Sequence, residues 1–160
     1  MKFGGRKTVV AIREGSLEDL PAVAELEKRC FPDPWTERML RDSFLDPARD
    51  MLVAEERNGV PAGYCLCMRC GDEVEVLSLA VRPELRRQGI GTGLLHTLIE
   101  RAKEYRLSRV YLDVRRGNDT AIRLYAGLGF VESRIRDRYY SDGETAVVMS
   151  RTVCAEAATS

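Results

Sequence analysis

Eight consecutive residues, Arg86-Arg87-Gln88-Gly89-Ile90-Gly91-Thr92-Gly93, put two guanidinium groups beside three glycines. They lie between a stretch that reads as a strand ending at Val81 and one whose apolar spacing reads as a helix beginning near Gly91. A helix start presents backbone N–H groups with no intrahelical acceptor, at the positive end of the macrodipole. Glycines let that backbone come close to an anion, and the arginines add charge. The chemistry this suits is the grip on a phosphate or diphosphate. A Walker-type loop needs Gly-Lys-Ser/Thr, which the segment lacks. A Rossmann fingerprint needs a third glycine where Leu94 stands. Asp113, about 20 residues on, does mimic its ribose-binding acid. The strands before the loop read as hairpins, however, rather than as βα crossovers. On the loop alone, a glycine turn that binds nothing stays open beside the anion site.

Other residues could move protons. Asn118 and Tyr125 are seven positions apart on a helical stretch, about two turns, so they share a face. Tyr125 carries a phenol, while Asp113 and Glu75 sit on strand-like stretches; Glu73 shares the face of Glu75 by alternation. The cysteines are Cys30, Cys65, Cys67, Cys70 and Cys154, and the single histidine, His96, falls on a helix surface. Cys65-x-Cys67-x-x-Cys70 has no fourth ligand nearby, so buried thiols and no metal are expected. An odd cysteine count without a secretion signal suggests a reducing, cytoplasmic setting.

The elements that must hold these groups follow from periodicity. Strands are expected at Val9–Arg13, Met51–Glu56, Val60–Arg69, Val74–Val81, Arg109–Val114, Val131–Tyr140 and Thr145–Arg151. Helices are expected from Ser16 to Cys30, Thr36 to Leu45, Gly91 to Tyr105 and Asn118 to Leu128. The order βααβββαβαββ is an α+β domain with one mostly antiparallel sheet flanked by helices. The 160 residues suit one domain, over 9–151, with flexible tails at 1–8 and 152–160. Charged residues are 31% of the chain and balance to zero, which argues against a nucleic-acid partner held by bulk positive charge. No apolar run approaches ~20 residues, which argues against a membrane partner.

Arg86-x-x-Gly89-x-Gly91, following Leu79-Ala80-Val81-Arg82-Pro83, resembles the Arg/Gln-x-x-Gly-x-Gly/Ala motif of the GNAT acetyltransferase superfamily. Leu112-Asp113-Val114-Arg115 and the run from Asn118 through Leu124-Tyr125 to Leu128-Gly129-Phe130 are also similar to that family, and the likeness extends from about Val10 to Arg151. It implies the GNAT fold and acetyl-CoA as co-substrate. The diphosphate would lie on the amides of Arg87, Gln88, Gly89, Ile90, Gly91 and Thr92, with Arg86 alongside. The pantetheine arm would run beside Leu79, Ala80 and Val81 and meet Asn118. Within the superfamily the chain resembles the protein N-terminal acetyltransferases, including those that modify the N-terminal alanine of a small-subunit ribosomal protein. Phe31-Pro32-Asp33-Pro34-Trp35-Thr36 is similar to their aromatic access loop, with two extra residues between Phe and Trp. Arg138-Tyr139-Tyr140 with Asp142-Gly143 is similar to their paired-tyrosine hairpin. Trp35, Tyr139 and Tyr140 would then line the peptide site, though on residue type alone the tyrosines could simply pack.

Transfer to nitrogen needs a deprotonated amine and gains from a proton delivered to the departing thiolate. A free α-amine has a pKa of about 8 against about 10.4 for lysine, so an α-amine acceptor needs only a weak base. Tyr125 is the expected general acid. Asp113 stands where the resembled family carries Glu and is shorter by about 1.5 Å, so it would act through water or yield to Glu75. A small amine or lysine as acceptor, and an acyl-CoA-binding module without turnover, are the alternatives.

Overall fold

The computed structural model describes residues 8–153. The residues before Thr8, and the tail from Cys154 on, lie outside the described residues. The elements are β1 (Val10–Glu14), α1 (Leu20–Cys30), α2 (Glu37–Phe44), β2 (Arg49–Glu56), β3 (Pro61–Cys70), β4 (Glu73–Val81), α3 (Ile90–Glu104), β5 (Arg109–Arg115), α4 (Asp119–Gly127), β6 (Val131–Arg136) and β7 (Ala146–Thr152). Short 3-10 turns lie at Leu17–Asp19 and Pro83–Leu85. The seven strands hydrogen-bond in the order β1-β2-β3-β4-β5-β7-β6. No helix among the described residues is long and apolar enough to cross a membrane.

Backbone packing groups the chain into two compact units, and β3 and β4 each pass from one to the other. The first holds the residues up to Leu66 with Ser78–Leu94. There β1 pairs antiparallel with β2, from Val10↔Glu56 to Glu14↔Leu52. Helix α1 buries Leu20, Val23, Ala24 and Leu26, and Glu27 with them, while Leu17, expected on the same apolar face, falls in the 3-10 turn and is exposed. The second holds Cys67–Leu77 and the residues from Leu95 on. There β5 lies between β4, parallel, and β7, antiparallel, and β6 pairs with β7. Leu95, Leu98, Ile99 and Ala102 of α3 are buried, each removing about 1–3 kcal/mol of apolar surface from water if fully covered, and His96 points to solvent.

Three expectations need correction. The helix expected from Ser16 opens instead as a 3-10 turn, with α1 proper starting at Leu20. The Asp19 carboxylate accepts from the Ser16 N–H at 2.8 Å and from Arg13, which tightens the first turn. The strand expected to run to Tyr140 stops at Arg136. A bulge falls between Glu132 and Arg134, and Arg138 takes the left-handed region at φ 50°, which ends extended backbone. Tyr139 and Tyr140 therefore stand on a loop rather than on alternate faces of a strand. Lastly, Asn118 is the N-cap of α4 rather than a member of its first turn.

Candidate active site

In the first unit the glycine segment becomes a tight turn. Arg87 (φ 64°) and Gly89 (φ 82°) both take left-handed backbone. For arginine that conformation costs about 1–2 kcal/mol, a strain of the kind found at binding loops. The first helical bond of α3 runs from the Gly93 N–H to the Gly89 carbonyl at 2.9 Å. The amides of Ile90, Gly91 and Thr92 therefore precede the ladder and have no helical acceptor. A Cβ on Gly89 would meet nothing within 4 Å, so the turn opens onto free space. Gly93 serves packing instead: its Cβ would stand 3.2 Å from Ile12. Two side chains of the segment have partners within the protein. Gln88 accepts from the Thr8 N–H at 2.7 Å, and Arg86 reaches the Cys30 sulfur at 3.5 Å.

The adjoining strand has a free edge. Among the described residues the parallel ladder of β4 with β5 runs from Glu73↔Arg109 to Val76↔Leu112, short of Leu79. The Arg82 N–H donates to the Ala62 carbonyl on β3 at 2.8 Å. By alternation Ala80 faces β3 as well, and the main-chain groups of Leu79 and Val81 face the other edge. The Val81 carbonyl takes the Cys30 thiol at 3.6 Å. Trp35, on the loop between α1 and α2, lies with its ring 5.9 Å from the Arg49 guanidinium.

In the second unit α4 buries no residue and is held by its ends. Asn118 Oδ1 accepts from the Ala121 N–H at 3.2 Å, a cap worth about 1 kcal/mol, which leaves its NH2 group to donate elsewhere. At the other end Gly129 (φ 87°) forms a Schellman motif. The Phe130 N–H meets the Tyr125 carbonyl at 3.0 Å and the Gly129 N–H meets Ala126 at 3.1 Å. The Phe130 ring is buried and lies 6.0 Å from the Tyr125 ring, so the helix stop itself orients the phenol.

The carboxylates and paired tyrosines come together in this same unit. The Asp113 side chain on β5, 14% exposed, lies 3.5 Å from Arg136 Nε on β6 and accepts from the Tyr139 hydroxyl. Burial and then the Asp113 charge push the Tyr140 phenol up to about 12, and Tyr139 moves the same way for the same causes. The Tyr139 and Tyr140 rings pack edge to face at 5.2 Å. Arg115 stacks on Tyr140 at 4.1 Å while pairing with Asp142 and Glu144 at 2.8 and 3.1 Å. Glu75 accepts from the Tyr111 hydroxyl at 3.4 Å, and Glu73 pairs with Arg109. Arg136 and Arg115 are participants that the strand pattern did not single out. The one signal was their cationic charge, Arg115 two residues along β5 from Asp113 and Arg136 on β6. Cys65 and Cys67 are buried on β3, and no group of three His, Cys, Asp or Glu side chains among the described residues is placed to hold a metal.

The profile of the Acetyltransferase (GNAT) family matches residues 20–130. The chain is 35% identical over 135 residues to the ribosomal protein bS18-alanine N-acetyltransferase of Escherichia coli (strain K12), covering 82% of this chain and 90% of that protein. It is 47% identical over 152 residues to an N-alpha-acetyltransferase of Sulfurisphaera tokodaii, covering 87% and 90%. The crystal structure of the Escherichia coli ribosomal-protein alanine N-acetyltransferase matches with a TM-score of 0.84 at 32% identity, covering 91% of this chain and 95% of its own.

Proposed function

Since the chain belongs to the acetyltransferase (GNAT) family and is an acetyl-CoA-dependent N-acetyltransferase, we propose that its acceptor is a protein N-terminal α-amine, specifically the alanine that begins a small-subunit ribosomal protein. The observation that carries the cofactor side is the open turn at Arg87–Gly89, where strained backbone leads into the first amides of α3. The acceptor side rests on relatives that carry that activity in their names over most of both chains.

Acetyl-CoA, when bound, supplies a thioester whose carbonyl carbon an amine attacks, with thiolate as leaving group. The amides of Arg87 to Thr92 would hold the diphosphate, and the edge of β4 at Leu79, with the Val81 N–H, would pair with the amide-bearing arm. The family resemblance assigns the Asn118 NH2 group, left over from its cap, as a donor that would serve the arm. Tyr125 holds a proton for the leaving sulfur. Asp113 is already engaged by Arg136 and Tyr139, so it orients the tyrosine pair rather than taking a proton directly. Glu75, which accepts from Tyr111 and shares this cluster electrostatically, is our choice for accepting the amine proton through water. Trp35, Tyr139 and Tyr140 line the path of the peptide.

The test is thiol release from acetyl-CoA with a peptide beginning Ala-Arg, set against the same peptide blocked at its N-terminus but carrying an internal lysine. Release with the first alone is expected. Release only with the blocked peptide or with small amines would overturn the acceptor assignment.

A further inference from the structure

Glu27 is a buried acid on the apolar face of α1, 1% exposed, beside Val23, Ala24 and Leu26. No cation among the described residues pairs with it; its partners are hydroxyls and one backbone amide. Oε1 accepts from the Tyr64 hydroxyl and from Ser78 Oγ at 2.7 Å, and the two hydroxyls lie 2.9 Å apart. Oε2 accepts from the Trp35 N–H at 3.3 Å. The main-chain carbonyl of Glu27 takes the Phe31 N–H at 2.9 Å. Both ends of the loop Phe31–Trp35 therefore hang from one residue. Within that loop Pro32 and Pro34 have no N–H to offer, and the amide of Trp35 is the anchor to Glu27 at its far end. Ser78 occupies the buried side of β4, one residue before Leu79.

A buried carboxylate without a cation costs more than an apolar side chain in the same place, so core packing does not account for it. What the acid does that leucine could not is bind the Trp35 amide while bound to β4. We propose that Glu27 is a positioning residue that ties the Trp35 loop to the strand beside the acyl arm and so sets where the acceptor peptide stands. Its place in catalysis rests on the N-terminal acetyltransferase reading; the tether itself does not.

Trp35 is the sole tryptophan, so its fluorescence reports this loop alone. The test is the double variant Glu27→Leu with Tyr64→Phe, which removes acid and phenol together and keeps the core filled. Its melting temperature should stay within a few degrees of wild type. Acrylamide quenching of Trp35, measured without substrates, should rise about twofold. The peptide KM should rise about tenfold while the acetyl-CoA KM holds, the scale of a lost hydrogen bond to a charged acceptor. Glu27→Gln keeps an acceptor for the Trp35 amide and should restore both readouts. If the double variant does not fold, Glu27→Asp, shorter by about 1.5 Å, is read in the same way. Unchanged quenching in a folded variant, or equal rises in both KM values, would overturn the proposal. Raised quenching in a chain whose wild type acetylates no peptide would support the tether and defeat the acceptor reading instead.

Discussion

The rings of Tyr125 and Phe130 lie 6.0 Å apart across the turn that ends α4, brought together by the Schellman bonds around Gly129. Because the contact is made by the ring and not the hydroxyl, Tyr125→Phe should leave the helix end intact. Its kcat should fall by about 10²–10⁴, the range for losing a general acid, with acetyl-CoA affinity nearly unchanged. Steady-state kinetics with calorimetric binding checks this, and equal loss of both would remove the acid role. Phe130→Ala acts differently. It empties a buried site and should cost about 3–5 kcal/mol by denaturant titration.

Gly89 combines a φ of 82° with open space around its missing Cβ. Alanine there strains the backbone without a clash, so Gly89→Ala should lower stability by about 1–2 kcal/mol. Coenzyme A binding should weaken about tenfold as the turn relaxes. Arg87→Gly removes the strain of an L-residue at φ 64° and should raise the melting temperature. Calorimetric titration with coenzyme A, beside thermal melts, reads both variants.

Tyr140 is held protonated by burial and by the Asp113 charge, with Arg115 opposing. A phenol whose pKa rises on folding contributes stability that is full below about 10 and is lost as pH climbs towards about 12. Phenolate absorbance should lose one tyrosine titrating at about 12 in Tyr140→Phe, while Tyr64, Tyr111 and Tyr139, which burial also pushes up, stay late. Asp113→Asn should bring that titration down. An unchanged titration curve in Tyr140→Phe would refute the assignment.

At the acid end the sign reverses. Arg13 donates two hydrogen bonds to Asp19, at 2.7 and 2.8 Å, and holds its carboxyl below the ordinary 3.8. That contribution is present above 3.8 and is lost as pH falls through the lowered value. Arg13 is partly exposed, so screening limits the effect. Asp19→Asn should cost about 1 kcal/mol at neutral pH and nothing at strongly acidic pH, checked by urea titrations at both.

Local chemistry made much of this protein readable from its residues. The glycine turn before α3, the stop at Gly129, the apolar stripe of α1 and the seven-residue step from Asn118 to Tyr125 all depend on neighbours a few positions away. Periodicity and turn preference report such neighbours directly. The alternation rule failed at Tyr139 and Tyr140, because the β6–β7 ladder carries a bulge and ends at Arg136, and Arg138 beyond it takes left-handed backbone.

The partners of the charged groups were decided only by the fold. Arg136 reaches Asp113, Arg115 reaches Asp142 and Glu144, and Gln88 takes the amide of Thr8, across separations that no spacing rule spans. Glu27 is an acid within an amphipathic helix, yet it is buried against Tyr64 of β3 and Ser78 of β4. Hydrophobic pattern says which face of an element turns inward. Which polar group meets which depends on strand register and helix placement, and those are settled by the whole core packing at once.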